Sequence, residues 1–203
     1  KHLIFTGEYL SRDLVLEILK YNPKIKIYNC YGTTETAIIS HWINFKKTDL
    51  EKKNLPVGKE IPEVNTILVN KSGKSAKVNE KGIALSYGIQ VSPGYWNSEY
   101  LNKKYFINDP TNQIKYQKVY NTGDILYKDD ENLYYYCGRQ DNQVKIRGHR
   151  VELGEIENFF KFKIKCKDVV VLPFSKNQAS SFDHLLFFIR LEDPNKSKNY
   201  FFT

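Results

Sequence analysis

The sequence predicts a mixed fold in three parts: the end of a parallel α/β subdomain, a barrel-like β-rich subdomain, and the start of a small α+β domain. Within the first 35 residues a strand, a helix and a strand follow one another, as in a βαβ unit. Short apolar runs separated by Gly, Pro and Asn then follow, which is typical of antiparallel strands. A strand, a helix and two more strands come last. We therefore expect parts at residues 1–45, 46–140 and 141–203, with the last one cut short by the end of the chain.

The α/β part begins with an apolar run, Leu3–Phe5, that ends at a tight turn. The hydroxyl of Ser11 can accept a hydrogen bond from the first turn of the helix that follows. Asn22, followed by Pro, ends that helix, and Lys24–Tyr28 then alternates as a strand does. This strand delivers Asn29–Glu35 at its carboxyl end, where ligands gather in parallel sheets. The predicted helix carries an apolar stripe of Leu14, Val15, Ile18 and Leu19.

The remaining elements are predicted mainly as strands. Two aliphatic and aromatic runs flank the polar cluster Asp129–Asn132, which predicts a β-hairpin. A short helix is predicted from Gly154, with Ile156, Phe159 and Phe160 on one face. The other predicted strands are Asn65–Asn70, Gly82–Tyr87, Gln143–Arg147, Val169–Leu172 and Leu185–Leu191.

The composition narrows the classes of protein to consider. The 203 residues are 41% hydrophobic and 14% aromatic, which is enough for a packed core. No apolar stretch approaches the roughly 20 residues that span a bilayer, so we expect no membrane insertion. The three cysteines, Cys30, Cys137 and Cys166, show no disulfide spacing, which fits a reducing cytoplasm. The net charge of +8 comes mostly from lysines spread through turns, so we expect no nucleic-acid partner.

The start of the chain predicts a piece of a longer protein. The sequence contains no Met, and its first residues already have the pattern of a core strand. We therefore expect that further parts of the same protein lie outside these 203 residues.

A candidate nucleotide site lies at the two ends of the predicted hairpin. Asp124 enters the hairpin and Arg139 leaves it, so the two side chains can lie close together. A carboxylate beside a glycine turn can accept hydrogen bonds from both hydroxyls of a ribose. A guanidinium can bind the same nucleotide at its ribose or phosphate oxygens. Taken alone, Thr122-Gly123-Asp124 is more often an ordinary turn.

The segment Tyr31–Glu35 carries a second set of candidate ligand groups. Its aromatic ring can stack on a purine, and Gly32 permits close approach of the backbone. The two threonines offer hydroxyls and amides to a phosphate, and Glu35 can hold the Mg²⁺ that accompanies it. A polar loop with a packed tyrosine is the alternative. Together with Asp124 and Arg139, the segment favours a nucleotide site.

Three stretches of the chain resemble core motifs of the acyl-adenylate-forming superfamily. They are Asn29–Glu35, Tyr120–Asp124 and Gly138–Glu157, in the family's order and spacing. The last is especially similar to the amino-acid adenylation domains of nonribosomal peptide synthetases. Phe5–Glu35 also resembles the D-alanine–carrier-protein ligases. The resemblance extends over essentially the whole chain.

The resemblance implies roles for individual residues. Thr34 would contact the α-phosphate and Glu35 would hold Mg²⁺, and both would act in catalysis. Asp124 would hold the ribose diol, and Asp141 would be the hinge of a mobile C-terminal domain. The residues implied to bind ATP are Gly7, Glu8, Asn29, Cys30, Tyr31, Gly32, Thr33, Thr34, Asp124, Tyr136 and Arg139. Those implied to line the acyl pocket are Ile4, Thr6, Cys30, Ile38 and Ile39.

The chain departs from the family pattern at three positions, none of which removes an essential group. Thr33 replaces a common Pro, Asn121 replaces an Arg, and Ile83 replaces an acidic residue. The family's phosphate loop would precede residue 1, and its catalytic Lys would follow residue 203. We therefore expect that this stretch alone lacks full activity.

The implied function is that of an AMP-forming ligase that uses ATP and Mg²⁺. It would adenylate an amino acid and pass it to the phosphopantetheine thiol of an acyl or peptidyl carrier protein. An acyl-CoA synthetase acting on a fatty or other carboxylic acid is one alternative. A non-catalytic, degenerate adenylation-like segment that binds an acidic partner is another.

The residues implied to line the acyl pocket suggest its substrate. They are apolar or small, and burying an unpaired charge among them would be costly. A small or apolar amino acid is therefore expected, with D-alanine the leading choice because Cys30 resembles a substrate-contacting Cys of the D-alanine ligases. For Ile4, Ile38 and Ile39, a place in the core is the alternative.

Overall fold

The computed structural model describes residues 1–52, 54–114, 118–141, 143–146, 149–164, 166–175 and 182–191. The chain divides into two compact units, Lys1–Asp141 and Asn142–Thr203. Both combine helices with β-sheets, so the predicted mixture of α and β structure is confirmed in general terms. In the described residues no helix combines the length and apolar character needed to cross a bilayer.

The first sheet of unit 1 contains the predicted βαβ arrangement. Strands β1 and β2 pair in parallel, with Phe5 opposite Asn29, and helix α1 connects them. β3 pairs antiparallel with β2, and β4 with β3. The elements are β1 (His2–Phe5), α1 (Arg12–Tyr21), β2 (Lys26–Tyr31), β3 (His41–Asn44) and β4 (Lys59–Glu60). The prediction of parallel strands joined by a helix is therefore confirmed.

Helix α1 begins and ends where the sequence predicts. The Ser11 hydroxyl accepts a hydrogen bond from the Leu14 amide at 3.2 Å, and Asn22 is the C-terminal cap. Val15 is fully buried in a cluster with Leu10, Ile27, Leu50 and Leu55. Leu14 remains exposed, so the buried face of the helix is narrower than the predicted stripe.

The second sheet of unit 1 has five strands and contains the predicted hairpin. Its order is β5-β6-β8-β7, and β9 pairs with β8, placing Asp124 opposite Arg139. The hairpin prediction is thus confirmed, whereas α2 and β7 were not predicted. The barrel-like character of this part remains a prediction. The elements are β5 (Val64–Val69), β6 (Gly82–Gly88), α2 (Glu99–Tyr105), β7 (Phe106–Asn108), β8 (Lys118–Lys128) and β9 (Tyr134–Arg139).

A pair of backbone hydrogen bonds joins the hairpin to the segment that leads into β4. The Val57 amide donates to the Tyr134 carbonyl at 2.8 Å, and the Tyr134 amide donates to the Gly58 carbonyl at 2.8 Å. Gly58 has a φ of +97°, and a Cβ there would overlap the backbone of Trp42 in β3. Only glycine therefore fits where this segment crosses the first sheet.

Unit 2 packs a helix against strands. Its elements are β10 (Gln143–Ile146), β11 (His149–Glu152), α3 (Leu153–Ile164), β12 (Cys166–Phe174) and β13 (His184–Leu191). Val169 and Val171 alternate into a core with Leu153 and Cys166. The predicted helix from Gly154 and the last two strands are confirmed, although β11 was not predicted. Arg147, predicted to end a strand, lies outside the described residues.

His41 is a buried polar residue at the centre of unit 1. It lies opposite Tyr31 on one side and Glu60 on the other in the first sheet. Its Nδ1 is 2.9 Å from the Ser40 hydroxyl, and its ring meets the Tyr134 ring edge-on at 4.6 Å. Burial lowers the pKa of His41 to about 3, so the folded protein holds a neutral imidazole.

We predict that His41 makes the protein less stable in mild acid. The unfolded chain protonates this histidine near pH 6.5, whereas the folded chain does not until about pH 3. Between these values the unfolded state binds more protons, so stability falls as pH falls. The loss is up to about 1.4 kcal/mol per pH unit, or about 2 kcal/mol at pH 5.

The measurement is the free energy of unfolding between pH 7 and pH 5 for the wild type and His41→Phe. The phenylalanine variant should lack this part of the pH dependence, even if it is less stable at pH 7. Thr66→Val, which removes a hydroxyl 3.4 Å from the His41 Nε2, should retain it. Parallel pH profiles for the wild type and His41→Phe would contradict the prediction.

Candidate functional site

The candidate site is centred on the carboxylate of Asp124, which receives hydrogen bonds from two distant parts of the chain. The Tyr31 hydroxyl donates to its Oδ2 at 2.6 Å, and Arg139 Nη1 donates to its Oδ1 at 2.7 Å. The Asp124 side chain is only 7% exposed. The structure therefore brings together three residues that the sequence predicts to act on one nucleotide.

The backbone around Asp124 fixes the position of its carboxylate. Gly123 has a φ of +71°, and a Cβ there would lie 2.6 Å from Arg139 Nη2. Glycine thus permits both the turn and the approach of the guanidinium. The Thr122 hydroxyl donates to the Ala84 carbonyl at 2.9 Å and accepts from the Asp124 amide at 3.0 Å. These bonds fix the strand on both sides of the glycine.

Arg139 joins Asp124 to Asp141. Its Nε and Nη2 donate to the two carboxylate oxygens of Asp141, each at 2.7 Å, while Nη1 binds Asp124. Burial by itself lowers the pKa of Arg139, but the Asp141 hydrogen bonds and both negative charges raise it more. The guanidinium therefore stays charged and is held in one orientation.

Tyr31 supplies an aromatic ring beside this charged group. Burial, and then the negative charge of Asp124, raise the pKa of Tyr31 well above its ordinary value, so its hydroxyl remains a donor. The Tyr31 ring lies 6.2 Å from that of Tyr136 and 5.4 Å from that of His41. The aromatic rings of Tyr31 and Tyr136 therefore lie close to the acceptor oxygens of Asp124.

The loop after β2 folds back against Gly32. The Ile38 amide donates to the Thr33 carbonyl at 2.8 Å, and the Ser40 amide donates to the Tyr31 carbonyl at 2.8 Å. A Cβ at Gly32 would overlap the Ile38 carbonyl oxygen, so this approach requires glycine. Ile38 itself has a φ of +76°, which is strained for a β-branched residue. Strain of this kind concentrates at functional sites.

Glu35 lies in this loop, within the short 3-10 turn Thr34–Thr36. Its side chain is buried, and its Oε1 accepts the Tyr95 hydroxyl at 2.6 Å. Thr34 is exposed beside it, and the Thr33 amide donates to the Thr36 hydroxyl at 3.0 Å. The loop therefore presents one threonine outward and one fixed carboxylate.

The residues around Glu35 fit a Mg²⁺ ion that arrives with a nucleotide. In the described part of the chain, no group of three or more His, Cys, Asp or Glu side chains could hold a metal alone. Mg²⁺ is commonly bound by one or two carboxylates together with substrate phosphates. The single buried carboxylate of Glu35, oriented by the Tyr95 hydroxyl, matches that kind of site.

The other predicted site residues differ in exposure. Thr6, Gly7 and Glu8 form an exposed turn after β1, and because β1 and β2 are parallel it leaves the sheet at the same edge as Gly32. Cys30 is buried, and its pKa is raised by that burial. Asn29 is also buried, and its amide nitrogen donates to the Pro56 carbonyl at 2.9 Å.

Two of the three isoleucines predicted to line the acyl pocket are exposed. Ile4 is 66% exposed and Ile38 is 61% exposed, whereas Ile39 is half-buried. Within these 203 residues, Ile4 and Ile38 are therefore not part of a core, which was the alternative for all three.

Two residues that matter to the site were missed by the sequence analysis. Tyr95 binds Glu35 from 60 positions away, and His41 packs against Tyr31. The tyrosine follows Gly94 in an irregular segment that carries no periodic pattern. The sequence signal for it is therefore only the aromatic pair Tyr95-Trp96 beside a glycine.

The comparisons with known proteins agree with this geometry. Residues 1–96 match the family described as AMP-binding enzyme. The D-alanine--D-alanyl carrier protein ligase of Bacillus licheniformis is 31% identical over 201 residues, which are 98% of this chain and 38% of the ligase. A linear gramicidin synthase polypeptide of Brevibacillus parabrevis is 32% identical over 183 residues, which are 90% of this chain and 4% of that protein. The chain thus spans less than two fifths of the length of each of these two relatives.

Solved structures show the same relationship. The Vibrio cholerae adenylation domain AlmE, in complex with glycyl-adenosine-5'-phosphate, matches with a TM-score of 0.84 and 26% identity, over 93% of this chain and 35% of that chain. A nonribosomal peptide synthetase protein containing adenylation and PCP domains matches with a TM-score of 0.80 and 26% identity, over 93% of this chain and 37% of that chain. Residues 1–96 therefore form an AMP-binding enzyme family domain, and the chain as a whole is similar to carrier protein ligases and to adenylation domains.

Proposed function

We propose that the protein carrying this chain activates an amino acid with ATP and then transfers it to the phosphopantetheine thiol of a carrier protein. The observation that carries the proposal is the Asp124 carboxylate, held between the Tyr31 hydroxyl and the Arg139 guanidinium. Relatives named as D-alanine--D-alanyl carrier protein ligases support the choice of an amino acid and a carrier protein.

The nucleotide would bind along the Asp124 group. We propose that Asp124 accepts hydrogen bonds from the ribose hydroxyls, since a carboxylate has about four acceptor positions. The Tyr31 and Tyr136 rings would provide aromatic surface for the adenine. The turn Thr6–Glu8 leaves the sheet at the edge where Tyr31 ends its strand, so Gly7 and Glu8 would frame the same base.

The chemistry at the α-phosphate requires positioning and charge stabilisation. The substrate carboxylate attacks the α-phosphorus, a P–O bond forms to the acyl oxygen, and pyrophosphate leaves with the bonding electrons. Thr34, exposed at the loop, would donate to a phosphate oxygen, and Glu35 would hold Mg²⁺, which when bound neutralises developing charge. Because the loop of Gly32–Ser40 is already folded, little reorganisation is needed.

The second step would use the same site. The carrier thiol loses its proton to solvent and attacks the acyl carbon of the adenylate, a C–S bond forms, the C–O bond to the phosphate breaks, and AMP leaves with the bonding electrons. We propose that Asp141 is the hinge for the change between steps. It is the last residue of unit 1, and its carboxylate is bound twice by Arg139, so Arg139 would hold one end of the hinge still.

We propose that the acyl group lies near Ile4, Thr6, Cys30, Ile38 and Ile39. None of them carries a charge, Cys30 is buried, and Ile4 and Ile38 expose apolar surface that a ligand could cover. The glycyl-adenylate bound to AlmE supports a small amino acid for this family. D-alanine is our leading choice.

Asp124→Ala in the full-length protein should weaken ATP binding strongly while leaving the fold intact. Loss of hydrogen bonds to a charged group costs about 1.5–3 kcal/mol, which is roughly a 10- to 150-fold loss of affinity. The measurement is ATP affinity by calorimetry, with thermal unfolding to confirm the fold. Asp130→Ala, an exposed aspartate in the same hairpin, is the matched control and should bind normally. Unchanged ATP affinity in Asp124→Ala would remove the basis of the proposed function.

Asp141→Pro should impair the two half-reactions unequally, because proline fixes φ and obstructs rotation about the hinge. The two measurements are ATP–pyrophosphate exchange and transfer of the acyl group to a carrier thiol. Asp141→Ala is the control, since it removes the carboxylate that Arg139 binds but keeps the backbone free. If Asp141→Pro and Asp141→Ala reduce both half-reactions by the same factor, Asp141 is not the hinge.

ATP–pyrophosphate exchange by the full-length protein across a substrate panel should favour small or apolar amino acids. The panel includes both alanine enantiomers, glycine, valine, Asp, Glu, Lys, Arg and a long-chain fatty acid. We expect the charged amino acids to be disfavoured about tenfold or more, because the pocket offers no partner for a buried charge. Preference for a charged side chain would refute the pocket. Preference for the fatty acid would refute the amino-acid assignment and favour an acyl-CoA synthetase.

A further inference from the structure

We propose that Tyr95 is a positioning residue for the metal-binding carboxylate: its hydroxyl fixes Glu35 in the orientation that binds the divalent cation accompanying ATP. The Tyr95 hydroxyl donates to Glu35 Oε1 at 2.6 Å. Glu35 is 7% exposed, so the hydrogen bond is largely shielded from water. This inference rests on the proposed function, because it concerns the same nucleotide site.

Tyr95 is itself held rigidly on both sides. Its amide donates to Asn102 Oδ1 at 2.6 Å, and its carbonyl accepts from Asn102 Nδ2 at 3.0 Å. Its ring meets those of Tyr105 and Phe106 edge-on, at 6.1 and 5.6 Å. The side chain is therefore anchored to α2 and β7, and its hydroxyl has little freedom to leave Glu35.

The same segment also binds the backbone of Glu35. The Ser92 amide donates to the Glu35 carbonyl at 2.8 Å, and the Ser92 hydroxyl donates to the Gly94 carbonyl at 2.9 Å. One stretch of chain thus contacts Glu35 at its main chain and at its carboxylate. This double contact restrains both the position and the rotation of the side chain.

Such restraint matters because the turn that carries Glu35 is short. The 3-10 turn Thr34–Thr36 has three residues and is followed by Ala37 and Ile38 at positive φ. A flexible glutamate there would lose rotamer freedom each time it bound a cation. A hydroxyl bound to Oε1 removes that freedom in advance, and a carboxylate can accept a hydrogen bond and bind a cation at the same time.

The alternative is that the Tyr95–Glu35 bond only ties the segment of residues 92–102 to the loop. The two possibilities differ in what removal of the hydroxyl does. A structural tie affects unfolding and leaves the metal affinity of the folded protein unchanged. A positioning residue changes the metal affinity itself, typically by 10- to 100-fold for partners of metal ligands.

The test measures Mn²⁺ binding to the full-length protein by electron paramagnetic resonance in the presence of ATP, with Mn²⁺ as the probe. Tyr95→Phe should weaken Mn²⁺ binding about 10- to 100-fold while ATP affinity without metal stays the same. Tyr105→Phe is the matched control, because it removes a hydroxyl from the neighbouring ring and should leave Mn²⁺ binding unchanged. Glu35→Gln is the reference for loss of the carboxylate, and thermal unfolding is recorded for each variant.

The outcomes separate this inference from the proposed function. If Tyr95→Phe binds Mn²⁺ like the wild type while Glu35→Gln does not, the inference is wrong and the nucleotide site stands. If Tyr105→Phe loses as much affinity as Tyr95→Phe, the effect comes from general loosening, and the inference is again wrong. If neither Glu35→Gln nor Tyr95→Phe changes Mn²⁺ binding, both the inference and the metal role of Glu35 fail.

Discussion

One buried carboxylate, that of Asp124, joins the two sheets of unit 1 at the candidate site. The Asp124 side chain is almost entirely removed from water, and a buried charge is tolerated only when it is paired and hydrogen-bonded. Its two partners come from different sheets, since Tyr31 ends β2 and Arg139 ends β9. Satisfying this charge therefore fixes the end of the parallel strand against the hairpin. The group that would bind a ribose is also the group that holds its own site together.

Backbone geometry makes that pairing possible. Two glycines at positive φ, Gly58 and Gly123, stand where a side chain would collide with β3 or with Arg139. The hydrogen bonds between the segment before β4 and Tyr134 hold the hairpin in register with the first sheet. These constraints act on the main chain, and neither Tyr31 nor Asp124 itself has a positive φ.

Much of this arrangement could be predicted because it follows from local patterns. The cap at Ser11, the parallel pair β1–β2 and the hairpin that aligns Asp124 with Arg139 all rest on neighbouring residues. Helix α2 could not be predicted, since it is seven residues long and buries none of them, so it has no apolar stripe. Because α2 and β7 were not predicted, the sequence did not show what holds Tyr95 in place. A hydrogen bond between residues 60 positions apart also leaves no periodic pattern in the sequence. The same holds for His41, whose burial depends on strands that meet only in the folded chain.

The loop of Gly32–Ser40 contains a strained backbone conformation at Ile38. Ile38 at positive φ is a conformation that costs about 1–3 kcal/mol and persists only when its surroundings enforce it. Two features of the surroundings enforce it. Backbone hydrogen bonds join the loop to the carbonyls of Tyr31 and Thr33, and Gly32 has no side chain that would collide with the Ile38 carbonyl. Ile38 gains no burial in return, because most of its side chain faces solvent. Packing within these 203 residues therefore does not explain the strain, whereas the proposed role of the loop, holding Thr34 and Glu35 at a phosphate, would explain it.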